Sequence, residues 1–233
     1  RAGAVWAGEV QLQRANVLVE RDAALEVRER ARFVSRGGDK LDAALDRFVA
    51  AGLEIAGRRC LDVGASTGGF TDCLLQRGAA LVIAVDVGHD QLAASIRADP
   101  RVRVREGVNA RSLTAADIGG AVALCVVDAS FIGIGKLAPA LAALVAPGGD
   151  LVALLKPQFE AGPEAATRGR GVIAPGAVRD AALDAARADL AASGFAIRDE
   201  VDSALPGPRG NLERFVWAER ARALWSRERA RAL

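Results

Sequence analysis

At 233 residues, with 51% apolar and 26% charged side chains, the chain fits one large α/β domain with appendages and has an ordinary globular composition. A net charge of +2 is too mild to identify a nucleic-acid partner, and a lone histidine, His89, leaves little scope for a histidine metal site or hydrolytic triad. The most apolar region, residues 121–155, is broken by Asp128, Lys136 and Asp150, so no stretch reaches the roughly 18 uncharged apolar residues of a membrane span.

Residues 1–33 differ in texture from the rest of the chain. WAGEVQLQ and ALEVRERA are short alternating segments that suit a small β-rich module. From Gly57 the pattern becomes regular strand–helix alternation. RRCLDVGA reads as a buried strand, GFTDCLLQRG as a helix ended by Gly78, LVIAVD as a second strand and HDQLAASIRAD as its helix. VRVREG, a short helix near 114–118 and the strand VALCVVDAS come next. The helix KLAPALAALV is expected to stop at Pro147-Gly148-Gly149, before a fifth strand, DLVALLK. Apolar strands separated by helices predict a parallel sheet covered on both faces, doubly wound, with its ligand site at the strands' carboxyl ends. A mobile loop is expected over GPEAATRGRGVIAP, then a long helix over 175–193. GFAIRDEVDSAL and RFVWAER, joined by PGPRGN, suit an antiparallel pair, so the last two strands are expected to break the parallel rule. The tail, ERARALWSRERARAL, reads as a polar helix.

Cys60, Cys73 and Cys125 sit in apolar runs without CxxC spacing, which predicts buried thiols in a reducing, cytoplasmic setting, neither disulfides nor metal ligands. With no methionine, residue 1 is not an initiator and a start inside a longer chain is expected. Arginines cluster twice, at Arg28, Arg30, Arg32 and Arg36 and at Arg97, Arg101, Arg103 and Arg105. Such clusters neutralise phosphates, but either one alone equally suits a solvated face.

The glycine-rich turn after the first buried strand narrows the cofactor. A dinucleotide fingerprint, G-x-G-x-x-G, lets backbone approach a pyrophosphate. Here Gly64, Ala65, Ser66, Thr67, Gly68 and Gly69 place a serine at the second glycine position, and Phe70 is next. That argues against NAD and for S-adenosylmethionine, whose ammonium needs a carboxylate such as Asp62. Asp86, closing the next strand, suits the two hydroxyls of an adenosine ribose. Either aspartate alone reads as a cap or turn residue; with the turn, the cofactor reading prevails. Asp128 and Lys156 end the fourth and fifth strands and point into the crevice. A buried lysine there is costly unless it reaches solvent or is held by a carboxylate, so a Lys156–Asp128 pair is expected.

SRGGDKL, DVGASTGGFTD, VVDASFI, LLKPQFE and LPGPRGNLE, in this order, resemble the TlyA family of ribosomal RNA 2′-O-methyltransferases, relatives of the FtsJ-type enzymes that often carry the label hemolysin. The resemblance implies a Rossmann-like class I methyltransferase over 34–220, with a mostly parallel seven-stranded sheet and an antiparallel last strand. It also implies the later part of an S4-like RNA-binding module over 1–33, and leaves 221–233 as a helical tail. The family's catalytic Lys-Asp-Lys-Glu set falls on Lys40, Asp128, Lys156 and Glu213. Its S-adenosylmethionine positions fall on Asp62, the turn from Gly64 to Phe70, Asp86, Asn109 and Asp128. Arg36, Arg168 and Arg170 are candidate RNA contacts, and ribosomal RNA is the implied substrate, with cytidine as the target and no metal or membrane partner. A membrane-lysing protein and a non-catalytic ribosome-binding factor are the alternatives; the broken apolar runs oppose the first and the complete tetrad the second.

Overall fold

The computed structural model describes residues 4–8, 10–12, 17–28 and 31–222. The chain divides into two units, Arg1–Arg32 and Phe33–Leu233. Most of the tail that reads as a helix lies outside the described residues.

The first unit holds β1 (Ala4–Ala7), β2 (Val10–Gln11) and β3 (Leu25–Arg28), paired antiparallel in the order β2-β1-β3. Pairing sets Val5 opposite Val27 and Ala7 opposite Leu25, so these apolar residues share one face. Val27 and Leu25 are largely exposed.

The second unit is built on a seven-stranded sheet in the order β6-β5-β4-β7-β8-β10-β9. Its strands are β4 (Arg59–Val63), β5 (Leu81–Val85), β6 (Val102–Arg105), β7 (Val122–Val127), β8 (Val145–Leu155), β9 (Phe195–Asp202) and β10 (Arg214–Arg220). The first five pair in parallel. The central β4, β5, β7 and the second half of β8 are mainly apolar and buried because both faces are covered, whereas the edge strand β6 alternates valine with exposed arginine. On one side α1 (Arg36–Ala50) and α2 (Gly69–Gln76) pack Leu41, Phe48 and Leu74 against Phe215 and Trp217. On the other, α4 (Ala138–Leu144) and α7 (Ala177–Ala192) pack Leu141 and Leu183 against Leu61, Cys125 and Leu151. Alternate residues of β4 feed the two cores, Cys60 one way, Leu61 and Val63 the other. All three cysteines are buried free thiols.

Several expected elements differ. Of the last two strands only β10 reverses: it pairs antiparallel with both β8 and β9, so β9 keeps the direction of β8. The long α7 carries the chain past one strand position, and β10 returns into that gap. The helix after β5 shrinks to α3 (Ala94–Arg97), because the Ala93 N–H is committed to the Thr67 carbonyl at 3.1 Å and no turn forms before it. At 114–118 there are turns instead of a helix, with the Asp117 carboxylate taking the Thr114 N–H at 2.8 Å. Pro147-Gly148-Gly149 lies inside β8, which starts directly after α4 and shifts register against β7 between Val122 and Leu124. After the short α5 (Pro157–Glu160), the stretch expected as a mobile loop opens instead with α6 (Gly162–Arg168), begun by Pro163 and Glu164, which favour a first helical turn.

Candidate active site

The carboxyl ends of β4, β7 and β8 open onto one cavity of about 1100 Å³ in the second unit. The chain order reverses beside β4, with β5 on one side and β7 on the other, which is where a doubly wound sheet leaves a crevice. Gly64 turns the chain out of β4 with φ of 85°, and a Cβ there would stand 2.6 Å from the Asp128 carbonyl oxygen. Only glycine lets the two strand ends approach so closely. Ser66 is also left-handed, at φ of 46°, and its N–H donates to Asp86 Oδ2 at 2.8 Å. Gly64, Ala65, Ser66, Thr67, Gly69 and Phe70 all line the cavity; Gly68 does not.

The aspartates of this half are placed differently. Asp62 is fully buried beneath the turn and does not line the cavity. Its Oδ2 accepts the Thr71 hydroxyl at 2.7 Å while Oδ1 has no partner. Burial pushes its carboxyl up to about 7, against the Thr71 hydrogen bond and with help from the nearby Asp128 charge. Asp86 stands at the end of β5 and accepts the Ser66 and Gly88 N–H groups, the latter at 2.7 Å. Asn109 is exposed and outside the cavity; its side chain caps a short 3₁₀ turn by accepting the Arg111 N–H at 3.0 Å.

The four polar residues of the tetrad form two ion pairs, and all four line the cavity. Lys156 Nζ lies 2.6 Å from Asp128 Oδ1 and donates to Ser130 Oγ at 2.9 Å. The Asp128 contact is close in distance but not aligned as a hydrogen bond, so it counts as an ion pair. Lys40 Nζ donates to Glu213 Oε2 at 2.6 Å. The sheet explains why Glu213 is here. Because β10 runs antiparallel, its start lies at the carboxyl edge of the parallel strands, and Arg214 pairs with Leu155. Glu213 therefore arrives beside Lys156, the next residue along β8. Lys40 comes from the second turn of α1, whose start touches α2: a Cβ on Gly69 would collide with Ser35 Oγ.

Arg36, at the start of α1, is exposed and lines the cavity, whereas Arg168 and Arg170 are exposed at the end of α6 and beyond it, outside the lining. In the second arginine cluster, Arg97 pairs with Glu106 and Arg101 with Asp99, while Arg103 and Arg105 donate to main-chain carbonyls. Among the described residues, no helix is long and apolar enough to cross a membrane, and no group of three or more His, Cys, Asp or Glu could hold a metal ion.

The sequence profile of FtsJ-like methyltransferases matches residues 33–220, essentially the whole second unit up to the end of β10. The chain belongs to the FtsJ-like methyltransferase family. The 16S/23S rRNA (cytidine-2′-O)-methyltransferase TlyA of Mycobacterium tuberculosis is 49% identical over 195 residues, spanning 81% of this chain and 69% of that protein. Hemolysin A of Brachyspira hyodysenteriae is 37% identical over 213 residues, 91% of this chain and 87% of its own length. A solved structure described as a hemolysin, from Lactococcus lactis, superposes with a TM-score of 0.77 at 42% identity, covering 82% of this chain and 89% of that one.

Several residues of this FtsJ-like methyltransferase site were not singled out from sequence. Phe131 has φ of 65° and a ring that is 91% exposed, yet it lines the cavity and packs on Phe159 with ring centroids 5.3 Å apart. Phe159 in turn lies 6.0 Å from Lys156 Nζ. Glu160 accepts the Ile134 N–H with both carboxylate oxygens, at 3.0 and 3.1 Å, strapping α5 to the Phe131 turn. Burial pushes its carboxyl up to about 7, opposed by the Ile134 N–H and aided by Asp189. The only sequence signal for the aromatics was their place directly after the strand-end residues, in DASF and KPQF.

Proposed function

We propose that this chain transfers a methyl group from S-adenosylmethionine to the ribose 2′-hydroxyl of a cytidine in ribosomal RNA, acting in the cytoplasm. The observation that carries this reading is the pair of lysine–carboxylate contacts, Lys156–Asp128 and Lys40–Glu213, facing the cavity that the glycine turn also lines. The residues around that turn fit the cofactor on two counts. Gly64, which lines the cavity, lets the ends of β4 and β7 close up behind the turn, and the buried Asp62 Oδ1 lacks a partner that an ammonium group supplies, directly or through water. Asp86, at the end of β5, keeps carboxylate lone pairs beyond its two backbone donors for ribose hydroxyls.

S-adenosylmethionine supplies a methyl group already activated by its sulfonium, which leaves the protein the tasks of positioning and of managing one proton. Lys156 donates one hydrogen bond, to Ser130, and is held by the Asp128 ion pair, which leaves its amine capacity for the attacking ribose oxygen. As a neutral amine it would take the hydroxyl proton on its lone pair; as an ammonium it would donate to that oxygen and stabilise the negative charge developing there. Asp128 and Ser130 hold the amine against free rotation. Lys40, fixed by Glu213, adds a second positive charge to the same cavity. The exposed Phe131 ring offers a stacking surface for a nucleobase. Arg36, Arg168 and Arg170 are the proposed phosphate contacts. The three-stranded sheet of the first unit supports reading residues 1–33 as the later part of an S4-like RNA-binding module.

The test is methylation of ribosomal subunits isolated from cells that lack this protein, with labelled S-adenosylmethionine and mapping of 2′-O-methyl sites. The expected result is label at a cytidine 2′-oxygen. Label on a base atom, or none with folded protein and bound cofactor, would refute the reading.

A further inference from the structure

Glu213 sits on a loop, not on a strand, and loops do not hold a side chain to a fraction of an ångström without help. The residue that supplies the help is two positions upstream. Asn211 is 2% exposed, and both ends of its amide are engaged by a segment 40 residues away in the chain. Its Oδ1 accepts the Ile173 N–H at 2.9 Å, and its Nδ2 donates to the Gly171 carbonyl at 2.8 Å. The side chain thus takes the place of a peptide unit, pairing with residues 171–173 as a neighbouring strand would. Its own carbonyl accepts the Gly207 N–H at 2.9 Å, closing the PGPRGN turn.

The turn it closes is pressed on the catalytic carboxylate. A Cβ on Gly207 would lie 2.7 Å from Glu213 Oε1. Next to Asn211, the Leu212 carbonyl accepts Arg179 Nε at 3.1 Å, and Glu213's own carbonyl accepts the Ser203 N–H at 2.9 Å. The other partner of Asn211 is a cavity wall. Gly162, Pro163 and Ala166 of α6 and Gly171 beyond it line the cavity, yet α6 contributes no buried residue of its own. Asn211 ties down the segment that follows the far end of that helix.

We propose that Asn211 is a positioning residue for methyl transfer, locking the Gly171 wall to the loop that aims Glu213 at Lys40. This rests on the reading of Glu213 as part of the catalytic set. Loss of the clamp shifts the Glu213 carboxylate without touching the cofactor turn, so the cost falls on the chemical step. Displacement of a catalytic group by about 1 Å can cost ~100-fold in rate.

The experiment is a double-mutant cycle on the full chain, with single-turnover methylation of ribosomal subunits and calorimetric titration of S-adenosylmethionine. Asn211→Ala is expected to lower the rate by roughly 10- to 100-fold while cofactor affinity and RNA KM stay within about threefold. In a Glu213→Gln background the same change is expected to add less than about threefold, because its effect runs through Glu213. A multiplicative double mutant, an unchanged Asn211→Ala rate, or lost cofactor binding would overturn the proposal. Glu213→Gln alone at the wild-type rate would show instead that the catalytic reading of Glu213 fails, and this assignment with it. Thermal denaturation checks folding. If Asn211→Ala does not fold, Asn211→Ser replaces it in the same cycle, since it stays neutral and polar but is too short to bridge both Ile173 and Gly171.

Discussion

The two lysine–carboxylate pairs have the same length, 2.6 Å, but are built in opposite ways. Lys156 and Asp128 each come directly after a parallel strand, so two ladders of the central sheet fix their backbones. Asp128 remains 26% exposed in its side chain, and the pair opens toward the cavity beside the exposed Phe131. Lys40 and Glu213 come from a helix and a loop, and Glu213 is almost wholly buried at 2%. A strand-borne pair needs little support and can keep an open face, where a substrate oxygen has to enter. A loop-borne pair is rigid only through its neighbours, here Asn211, Arg179, Ser203 and Gly207. In the proposed reaction the first pair touches the reacting atoms and the second shapes the field around them.

The sharpest way to break this contrast is at Lys156. Lys156→Ala should lower methyl transfer by at least about 1000-fold, combining loss of the proton acceptor or oxyanion partner with loss of positioning. Calorimetry should show S-adenosylmethionine binding within about threefold of wild type; a lost isotherm in a folded protein would move Lys156 from the substrate side to the cofactor side. Glu213→Gln keeps the shape and removes the charge, and should cost less, roughly 10- to 100-fold, with most of the loss in kcat. If Glu213→Gln proved as damaging as Lys156→Ala, the division of labour between the two pairs would be wrong.

The same contrast explains what could be read in advance. Strands buried on both faces must be apolar throughout, so VALCVVD and LVALLK stand out, and the polar residue that ends each run marks the edge where ligands bind. Asp128 and Lys156 were legible for that reason. Glu213 was not, except through family likeness. Its place depends on β10 entering antiparallel between β8 and β9, which is a property of the whole sheet and leaves no mark within PGPRGNLE. Phe131 escaped for a local reason: an aromatic at φ of 65° has no sequence signature, because the turn that imposes it is held from outside by Glu160 and Ile134. The helix after β5 was overread because its periodicity is real while its first N–H is committed to the Thr67 carbonyl.

Asp62 sharpens the comparison from the cofactor side, through pH. Its carboxyl rises from an ordinary value near 3.8 to about 7 in the folded protein, chiefly through burial. Between those values the folded state holds a proton that the unfolded chain has released. Asp62 therefore contributes most to stability below the unfolded value, and that contribution is lost as pH rises through about 7. Glu160, also raised to about 7, adds a slope of the same sign. Denaturant unfolding at several pH values should show stability falling between about pH 4 and 7, with the slope reduced by Asp62→Asn and reduced further when Glu160→Gln is added. An unchanged slope in Asp62→Asn would mean the buried carboxyl is already ionised, paired with a charge the fold supplies.

The smallest expected effect separates the arginines. Arg168 and Arg170 are exposed near the α6 wall, and as proposed phosphate contacts each should carry about one unit of the salt dependence of RNA binding. Replacing both by alanine should weaken binding about two- to fivefold at physiological salt and flatten the log–log salt slope by roughly 1.5. Arg101 differs because Asp99 already takes its guanidinium at 2.8 Å. Recruiting it to a phosphate would require breaking that pair, so Arg101→Ala should change RNA affinity less than about twofold, consistent with the small worth of an exposed ion pair. Filter binding across a salt series measures both variants in one experiment. If Arg101→Ala weakened binding more than the double variant, RNA would approach along the β6 edge of the sheet, and the α6 wall would face solvent during the reaction.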